Sequence, residues 1–242
     1  MNESFINKLI KDWELYFFTE PPLILLQFAI IILYLRNKKH NKEIQLFFYY
    51  AIAGLLLFLF YEILKISLRD FRYKRHLINE IFNAFFTFTE IFAFSFFYSR
   101  ILKTKYISSI IALFIILYTT FFFASFLNIF FNNISKSSSN TIFNKFVFVE
   151  LSFWGLLGLL YFFELFKFCT NENLLLIPSF WIVSFSLIYT LVFPIIFLLL
   201  DNFRIENNSV FNILTSLHFI SLSLVYAGIL KAIICNNSLN KQ

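Results

Sequence analysis

Residues 77–100 read LINEIFNAFFTFTEIFAFSFFYSR, and the fold can be predicted outward from this stretch. Most of its side chains are apolar, but it also carries Glu80, Asn83, Thr87 and Glu90. In an α-helix these four occupy positions i, i+3, i+7 and i+10, so they share one face. An ionised carboxylate near the centre of a bilayer costs about 2.5 to 3.5 kcal/mol, so Glu90 is expected to face protein or water. Other helices should therefore pack around this face.

The composition is that of an integral membrane protein. Of the 242 residues, 60% are hydrophobic and 14% are charged, whereas a soluble domain carries about 25% charged residues. The first 20 residues include Lys8, Lys11 and Asp12 and lack a small-residue cleavage site after an apolar segment. They do not resemble a cleavable signal peptide, so the first membrane helix is expected to stay attached.

Seven apolar runs predict an all-α bundle of seven transmembrane helices in one domain. The runs are residues 21–35, 46–66, 77–99, 106–131, 143–168, 176–200 and 210–234. About 20 apolar residues are needed to cross a hydrocarbon core about 30 Å thick, so the first run is the marginal one. Residues 1–20 put apolar and charged side chains on opposite helical faces. This predicts a short amphipathic helix in the membrane interface or, equally, the frayed start of the first span.

The basic residues do not fix the orientation by their number. An N-terminus on the outside would divide the 20 Lys and Arg residues 10 to 10 between the two sides. Around the first span alone, Lys8 and Lys11 precede it, while Arg36, Lys38, Lys39 and Lys42 follow it. The first helix usually dominates orientation, which favours an outer N-terminus and an inner C-terminus.

Polar side chains within the predicted spans define the candidate site. Glu90 and His218 are the principal pair, because a carboxylate and an imidazole at membrane depth can share or relay a proton, or bind a ligand. The further candidates on the third, fifth and seventh spans, which begin on the same side of the membrane, are Asn83, Thr87, Glu150, Asn212 and Thr215, and Tyr189 of the oppositely directed sixth span falls at a similar depth. A polar pocket in that half is predicted. The competing interpretation is that these side chains hydrogen-bond to neighbours and serve helix packing.

Several classes of function are disfavoured. The basic residues lie in short connections that flank apolar runs, which is typical of contact with anionic headgroups and not with nucleic acid. Three His and two Cys show no spacing of metal ligands. Neither a Gly-rich phosphate loop, a zinc-protease motif nor a serine-nucleophile motif occurs. No catalytic residue, metal or cofactor is therefore predicted.

Three segments resemble a group of small bacterial seven-helix integral-membrane proteins. They are INEIFNAFFTFTEIFAFSFFYSRIL in residues 78–102, PSFWIVSFSLIY in residues 178–189 and NILTSLHFISLSL in residues 212–224. The proteins of this group look like the membrane portion of sensor kinases without the soluble part, and no activity is established for them. The resemblance implies a seven-helix fold and a bacterial inner-membrane location.

Together these observations predict a sensory or signal-relaying module in which the region of Glu90 and His218 holds a ligand or a proton. The main alternative is a small transporter or channel that uses the same pocket as its pathway. A further alternative is a structural subunit that packs against another membrane protein, and an intramembrane enzyme comes last. A sensor without an output domain needs another membrane or signalling protein as its partner, besides the lipid bilayer.

Overall fold

The computed structural model describes residues 22–36, 42–67, 72–131, 136–168, 173–206 and 208–239, whose regular structure is all helical. The helices are α1 (Pro22–Arg36), α2 (Lys42–Ser67), α3 (Arg72–Ile101), α4 (Ile107–Phe131), α5 (Lys136–Phe168), α6 (Pro178–Glu206) and α7 (Asn208–Leu239). A short 3-10 helix (Leu174–Leu176) precedes α6. The all-α prediction is confirmed. The predicted interfacial helix in residues 1–20 lies outside the described residues.

Five helices contain segments long and apolar enough to cross a bilayer. The segments are Ile44–Tyr61, Ile107–Ser125, Asn144–Phe168, Pro178–Ile196 and Ser216–Asn236. Helix α1 is apolar but short, because 1.5 Å per residue gives it a length of about 22 Å against a core of about 30 Å. Helix α3 is long enough, but Glu90 and its other polar residues lower its hydropathy. The protein is therefore a membrane-embedded helical protein with five potential spans among the described residues.

Three helices begin well before the apolar runs predicted from the sequence. Helix α2 begins at Lys42, α3 at Arg72 and α5 at Lys136, so part of the polar segment 132–140 is helical. Hydropathy marks only the part of a helix that lies in hydrocarbon, whereas backbone hydrogen bonding continues into the polar interface. The predicted ranges were therefore too short at these ends.

Consecutive helices run antiparallel. The contacts that fix their directions are Gln27–Gly54 and Tyr34–Phe48 (α1 and α2), Phe60–Phe82 and Phe47–Phe97 (α2 and α3), Phe122–Phe146 and Phe114–Phe153 (α4 and α5), Gly155–Thr190 and Gly158–Leu187 (α5 and α6), and Phe193–His218 and Trp181–Lys231 (α6 and α7). Helix α5 runs parallel to α3, since Trp154 packs on Phe94 while Gly158 lies beside Tyr98. The odd-numbered helices thus begin on one side of the bundle, called the N side here, and end on the other, the C side.

Helix α3 contacts α2, α4 and α5 with one face, while its Phe85 side faces outwards. Its second half buries Ile91, Phe94, Phe97 and Tyr98. Trp154 of α5 stacks on the Tyr98 ring with a centroid separation of 6.1 Å. Because neighbouring helices cover α3, its polar face meets protein, and the helix does not need to be apolar all round.

The outer surface is apolar on every helix. Large hydrophobic side chains with more than half of their surface uncovered include Leu25, Leu56, Phe85, Phe121, Phe163, Ile195 and Ile213. Only 22% of the α4 segment Ile107–Ser125 is buried by the rest of the protein. A soluble monomer rarely exposes apolar surface on this scale, so these faces are suited to contact with lipid.

A buried carboxylate fixes the turn between α3 and α4. The backbone N–H groups of Lys103 and Thr104 donate to Glu164 at 2.7 and 3.0 Å, and the Thr104 hydroxyl donates to the same carboxylate. Glu164 belongs to α5 and is only 7% exposed. Charge-assisted hydrogen bonds of this kind are stronger than neutral ones, so this contact ties the C-terminal part of α5 to the start of α4.

Glycines allow α5, α6 and α7 to approach closely. A Cβ atom on Gly228 of α7 would lie 2.9 Å from the Trp181 carbonyl oxygen and 2.8 Å from the Phe185 Cβ, both on α6. A Cβ on Gly158 of α5 would lie 2.9 Å from Leu187. Of these two contacts, the one between α6 and α7 is less able to relax, because the opposing Trp181 oxygen belongs to the backbone.

We expect Gly228→Ala to lower the thermal unfolding midpoint of the purified protein in detergent. Overpacking costs about 1–3 kcal/mol, which outweighs the gain of about 1 kcal/mol that alanine gives a helix over glycine. The matched control is Gly54→Ala, whose Cβ would meet the mobile amide end of Gln27 at 2.8 Å. This control should lose less stability. An unfolding midpoint that rises in Gly228→Ala would contradict the close α6–α7 contact.

Candidate functional site

Five of the predicted site residues have described side chains. These are Glu90, Thr87, Glu150, Tyr189 and His218, while the side chains of Asn83, Asn212 and Thr215 lie outside the described residues. Glu90 is half-buried, and Thr87, one helical turn before it, is 5% exposed. The polar stripe of α3 is therefore turned towards protein at these two positions, as its spacing predicts.

The Glu90 carboxylate is the common neighbour of polar side chains from five other helices. It lies within electrostatic range of Tyr50 on α2, Tyr118 on α4, Glu150 on α5, Tyr189 on α6 and Tyr226 on α7. These six residues are called the Glu90 cluster here. Tyrosine suits this position because its ring packs among apolar side chains while its hydroxyl reaches a polar group.

Glu150 is the second carboxylate of the Glu90 cluster. It is 2% exposed, and it accepts hydrogen bonds from the Tyr118 hydroxyl at 3.3 Å and from the Trp154 indole N–H at 3.4 Å. Both bonds are long for a carboxylate acceptor. Neither Glu90 nor Glu150 forms an ion pair with a described residue, and Lys145, the nearest cation in sequence, is exposed. Two neighbouring carboxylates therefore lie at membrane depth without a described cation beside them.

His218 joins the cluster through Tyr189. The Tyr189 hydroxyl lies 3.3 Å from His218 Nδ1, and either atom can donate the hydrogen bond. The His218 ring also packs against Phe193, with centroids 5.7 Å apart. Since Tyr189 is within electrostatic range of Glu90, His218 is linked to Glu90 indirectly, through Tyr189.

A cavity of about 300 Å³ lies between α1, α2, α3 and α7. Its apolar lining consists of Leu23, Ile24, Leu57, Phe58, Phe82, Phe86, Phe219 and Leu222, and its polar lining of Gln27, Tyr61, His218 and Tyr226, with Gly54 beside them. Most of these residues come from the first halves of the odd-numbered helices α1, α3 and α7 and from the second half of α2, while Gly54 and Tyr226 lie near the middle of α2 and α7. The cavity thus occupies the N-side half of the bundle, the half in which the sequence predicts a pocket.

Gln27 and Tyr226 form the inner wall of this cavity. The Gln27 amide donates to the Tyr226 hydroxyl at 2.9 Å, and the Tyr226 ring stacks on Tyr50 with centroids 5.7 Å apart. Gly54 leaves room for the amide, because a Cβ there would lie 2.8 Å from Gln27 Nε2. Tyr226 belongs to both the cavity lining and the Glu90 cluster, so the two regions are continuous.

Sequence reasoning missed Gln27, Tyr50, Tyr118 and Tyr226. Gln27 is the only amide in the apolar run 22–35, and that isolation is a signal that could have identified it. The tyrosines carry no comparable signal, because the chain has 12 of them and the amphipathic phenol is equally suited to the membrane interface.

The groups of the site can bind protons and form hydrogen bonds. They are two carboxylates, several phenols, an imidazole and an amide, which together offer both donors and acceptors. Within the described ranges, no group of three or more His, Cys, Asp or Glu side chains is placed to hold a metal ion. Comparison of the chain with known protein families, characterised proteins and solved structures finds no match.

We expect Tyr118→Phe to destabilise the protein by about 1–3 kcal/mol, because the buried Glu150 carboxylate loses one of its two hydrogen-bond donors. The matched control is Tyr106→Phe, since Tyr106 is 67% exposed. Thermal unfolding in detergent measures both changes. In a Glu150→Gln background the cost of Tyr118→Phe should shrink, and an unchanged cost would show that this hydroxyl does not act through Glu150.

Proposed function

We propose that the protein is a seven-span sensory, signal-relaying module of a bacterial inner membrane, with its N-terminus outside, and that the N-side cavity binds its ligand. The observation that carries the proposal is a cavity of about 300 Å³ with apolar walls and convergent polar groups. Small-molecule sites have volumes of about 300 to 1,000 Å³ and this same mixture of an apolar lining with a few polar groups.

The packing of α1 and α3 supports their assignment as the remaining two spans. Helix α1 joins the bundle at both ends, through Gln27 on Tyr226 and through Tyr34, whose ring stacks on Phe48 with centroids 3.9 Å apart. Helix α3 is 30 residues long, which corresponds to about 45 Å and exceeds the hydrocarbon core. Its polar face contacts protein, so its lower hydropathy is compatible with a position inside the membrane.

The cavity lining defines the chemistry of the ligand. Four of the apolar residues are phenylalanines, which favour a flat, largely apolar molecule. Gln27, Tyr61, His218 and Tyr226 favour one or two hydrogen-bonding groups on that molecule. We therefore assign the cavity to a small aromatic compound with a hydroxyl, amine or ring-nitrogen group.

Two hydrogen bonds offer a route from the cavity to the rest of the bundle. A ligand that bonds to Tyr226 competes with Gln27, and one that bonds to His218 competes with Tyr189. Tyr226 and Tyr189 both lie within electrostatic range of Glu90. Ligand binding thus changes the surroundings of the Glu90 carboxylate. That carboxylate lies within electrostatic range of polar side chains on α2, α4, α5, α6 and α7. A ligand signals only if it favours one arrangement of these contacts over another.

We expect saturable binding of 2-naphthol, indole or quinoline, used as probes, to the full chain in lipid nanodiscs. Leu57→Trp should weaken that binding at least about tenfold, because Leu57 lines the cavity and the larger ring fills it. The matched control is Leu56→Trp, since Leu56 is 61% exposed to the surroundings of the bundle. Equilibrium dialysis against protein-free nanodiscs corrects for partitioning into lipid. Saturable binding that Leu57→Trp leaves intact would place the ligand outside the cavity.

A proton- or cation-coupled transporter is the second candidate. The observation that favours it is the proximity of Glu90 and Glu150 without a described basic partner. In a medium of low dielectric constant, two neighbouring carboxylates cannot both stay ionised without a counter-charge. Such a pair is suited to take up and release a proton or a cation, which a transport pathway requires.

Proteoliposomes separate the two candidates. On the sensory proposal, the wild-type protein produces no proton flux above that of protein-free liposomes, as measured with an internal pH-sensitive dye under an imposed membrane potential. A flux that Glu90→Gln or Glu150→Gln lowers at least tenfold would favour the transporter. The control is Glu164→Gln, because Glu164 is buried but binds the α3–α4 turn outside the Glu90 cluster.

A further inference from the structure

The C side of the bundle carries exposed basic side chains at the ends of helices. Lys103 and Lys105 lie in the turn between α3 and α4, Lys167 lies in the last turn of α5, and Lys231 lies in the C-terminal part of α7. All four are exposed. Of these four lysines, Lys103 and Lys167 lie close to each other.

Lys103 and Lys167 converge on a single aromatic ring. Their Nζ atoms lie 5.9 and 5.5 Å from the centroid of Phe168, so the two ammonium groups are no more than about 11 Å apart. Lys103 comes from the α3–α4 turn and Lys167 from α5, and the contact between that turn and α5 brings them together. Like charges repel at this distance, and a shared anion would remove that repulsion.

A described carboxylate close to this pair, Glu164, does not neutralise it. Glu164 is buried, and its oxygens accept hydrogen bonds from the Lys103 N–H and from the N–H and hydroxyl groups of Thr104. Among the residues that the structure describes, no carboxylate forms an ion pair with Lys103 or Lys167. Glu164 thus fixes the backbone position of Lys103. The Lys103 ammonium group stays available to an external anion.

The surroundings of the pair are those of a membrane interface. Phe166 and Phe168 are 67% and 56% exposed, and Tyr106 is 67% exposed next to Lys105. Exposed aromatic rings and lysines at helix ends are typical of the headgroup level of a bilayer. An anion held at this depth can therefore be attached to acyl chains that lie against the neighbouring apolar surface.

We propose that Lys103 and Lys167, seated over Phe168, form a binding site for the phosphate of an anionic phospholipid headgroup. The two ammonium groups contact the phosphodiester from the α3–α4 turn and from the end of α5, and the exposed ring of Phe166 contacts the acyl chains. The occupant is a lipid and not a soluble anion, because the site is bordered by apolar surface on the outside of the bundle. The proposal does not depend on the sensory function.

The test titrates the full chain in neutral detergent with phosphatidylglycerol and counts bound lipids by native mass spectrometry. We expect one lipid to bind with clearly higher affinity than the rest, and phosphatidylcholine to lack this step. The double variant Lys103→Gln with Lys167→Gln should lose at least tenfold in affinity for that lipid, and the Arg pair at the same positions should restore it. The matched control is Lys145→Gln with Lys231→Gln, two exposed lysines outside the site, which should change the affinity less than twofold.

Two results would overturn the lipid site. One is phosphatidylglycerol binding that survives in the Gln pair, measured on variants whose thermal unfolding midpoint matches the wild type. The other is equal binding of phosphatidylcholine, which would show that acyl chains alone account for the contact. Inorganic phosphate at millimolar concentration should not displace the bound lipid, and displacement would identify the ligand as the free anion.

Discussion

The structure depends on the need to keep the Glu90 carboxylate out of the hydrocarbon. A charged or hydrogen-bonding group in the middle of a membrane helix is stable only where protein or water surrounds it, so the helix that carries it must be covered by others. Helix α3 accordingly turns the face that carries Glu90 towards its neighbours and its Phe85 side outwards. Each of α2, α4, α5, α6 and α7 places one polar side chain within electrostatic range of Glu90, four of them tyrosines. Tyrosine satisfies both demands at once, because the ring fills apolar space and the hydroxyl supplies a polar neighbour.

The two buried carboxylates of α5 illustrate different uses of the same group. Glu164 accepts hydrogen bonds from two backbone N–H groups at 2.7 and 3.0 Å and from a threonine hydroxyl, and these donors come from one turn of the chain. Glu150 accepts only two longer bonds, at 3.3 and 3.4 Å, from Tyr118 and Trp154. A carboxylate whose hydrogen bonds are short, and whose donors lie in one turn, fixes the position of that turn. A carboxylate whose hydrogen bonds are long, and which has a second carboxylate nearby, is stabilised more strongly by a proton, a cation or a rearranged neighbour.

The bundle divides into a tightly packed part and a part with internal space. Gly155, Gly158 and Gly228 bring α5, α6 and α7 so close that a single added carbon atom would meet opposing atoms within 2.8 to 3.3 Å. The cavity lies on the other side of α7, where it is enclosed with α1, α2 and α3. Dense packing resists change because protein interiors have little free volume, whereas helices around a cavity can move without creating new voids. Helix α7 borders both parts, because it lines the cavity and packs closely on α6.

The sequence alone determined the all-α class, the membrane-embedded character, the approximate positions of the described helices and the inward orientation of Thr87 and Glu90. These properties are local, since they follow from apolar composition and from the helical period within a single segment. Only the tertiary structure decided which polar groups meet. The hydrogen bond between Gln27 and Tyr226 joins residues 199 positions apart, and no local pattern specifies such a partner. Likewise, Glu150 is buried because other helices cover the inner face of α5, and the sequence of α5 by itself does not name those helices. The local sequence around a carboxylate or a phenol looks the same whether the side chain lies at an interface or in a core. The helices that pack around the side chain decide between the two locations.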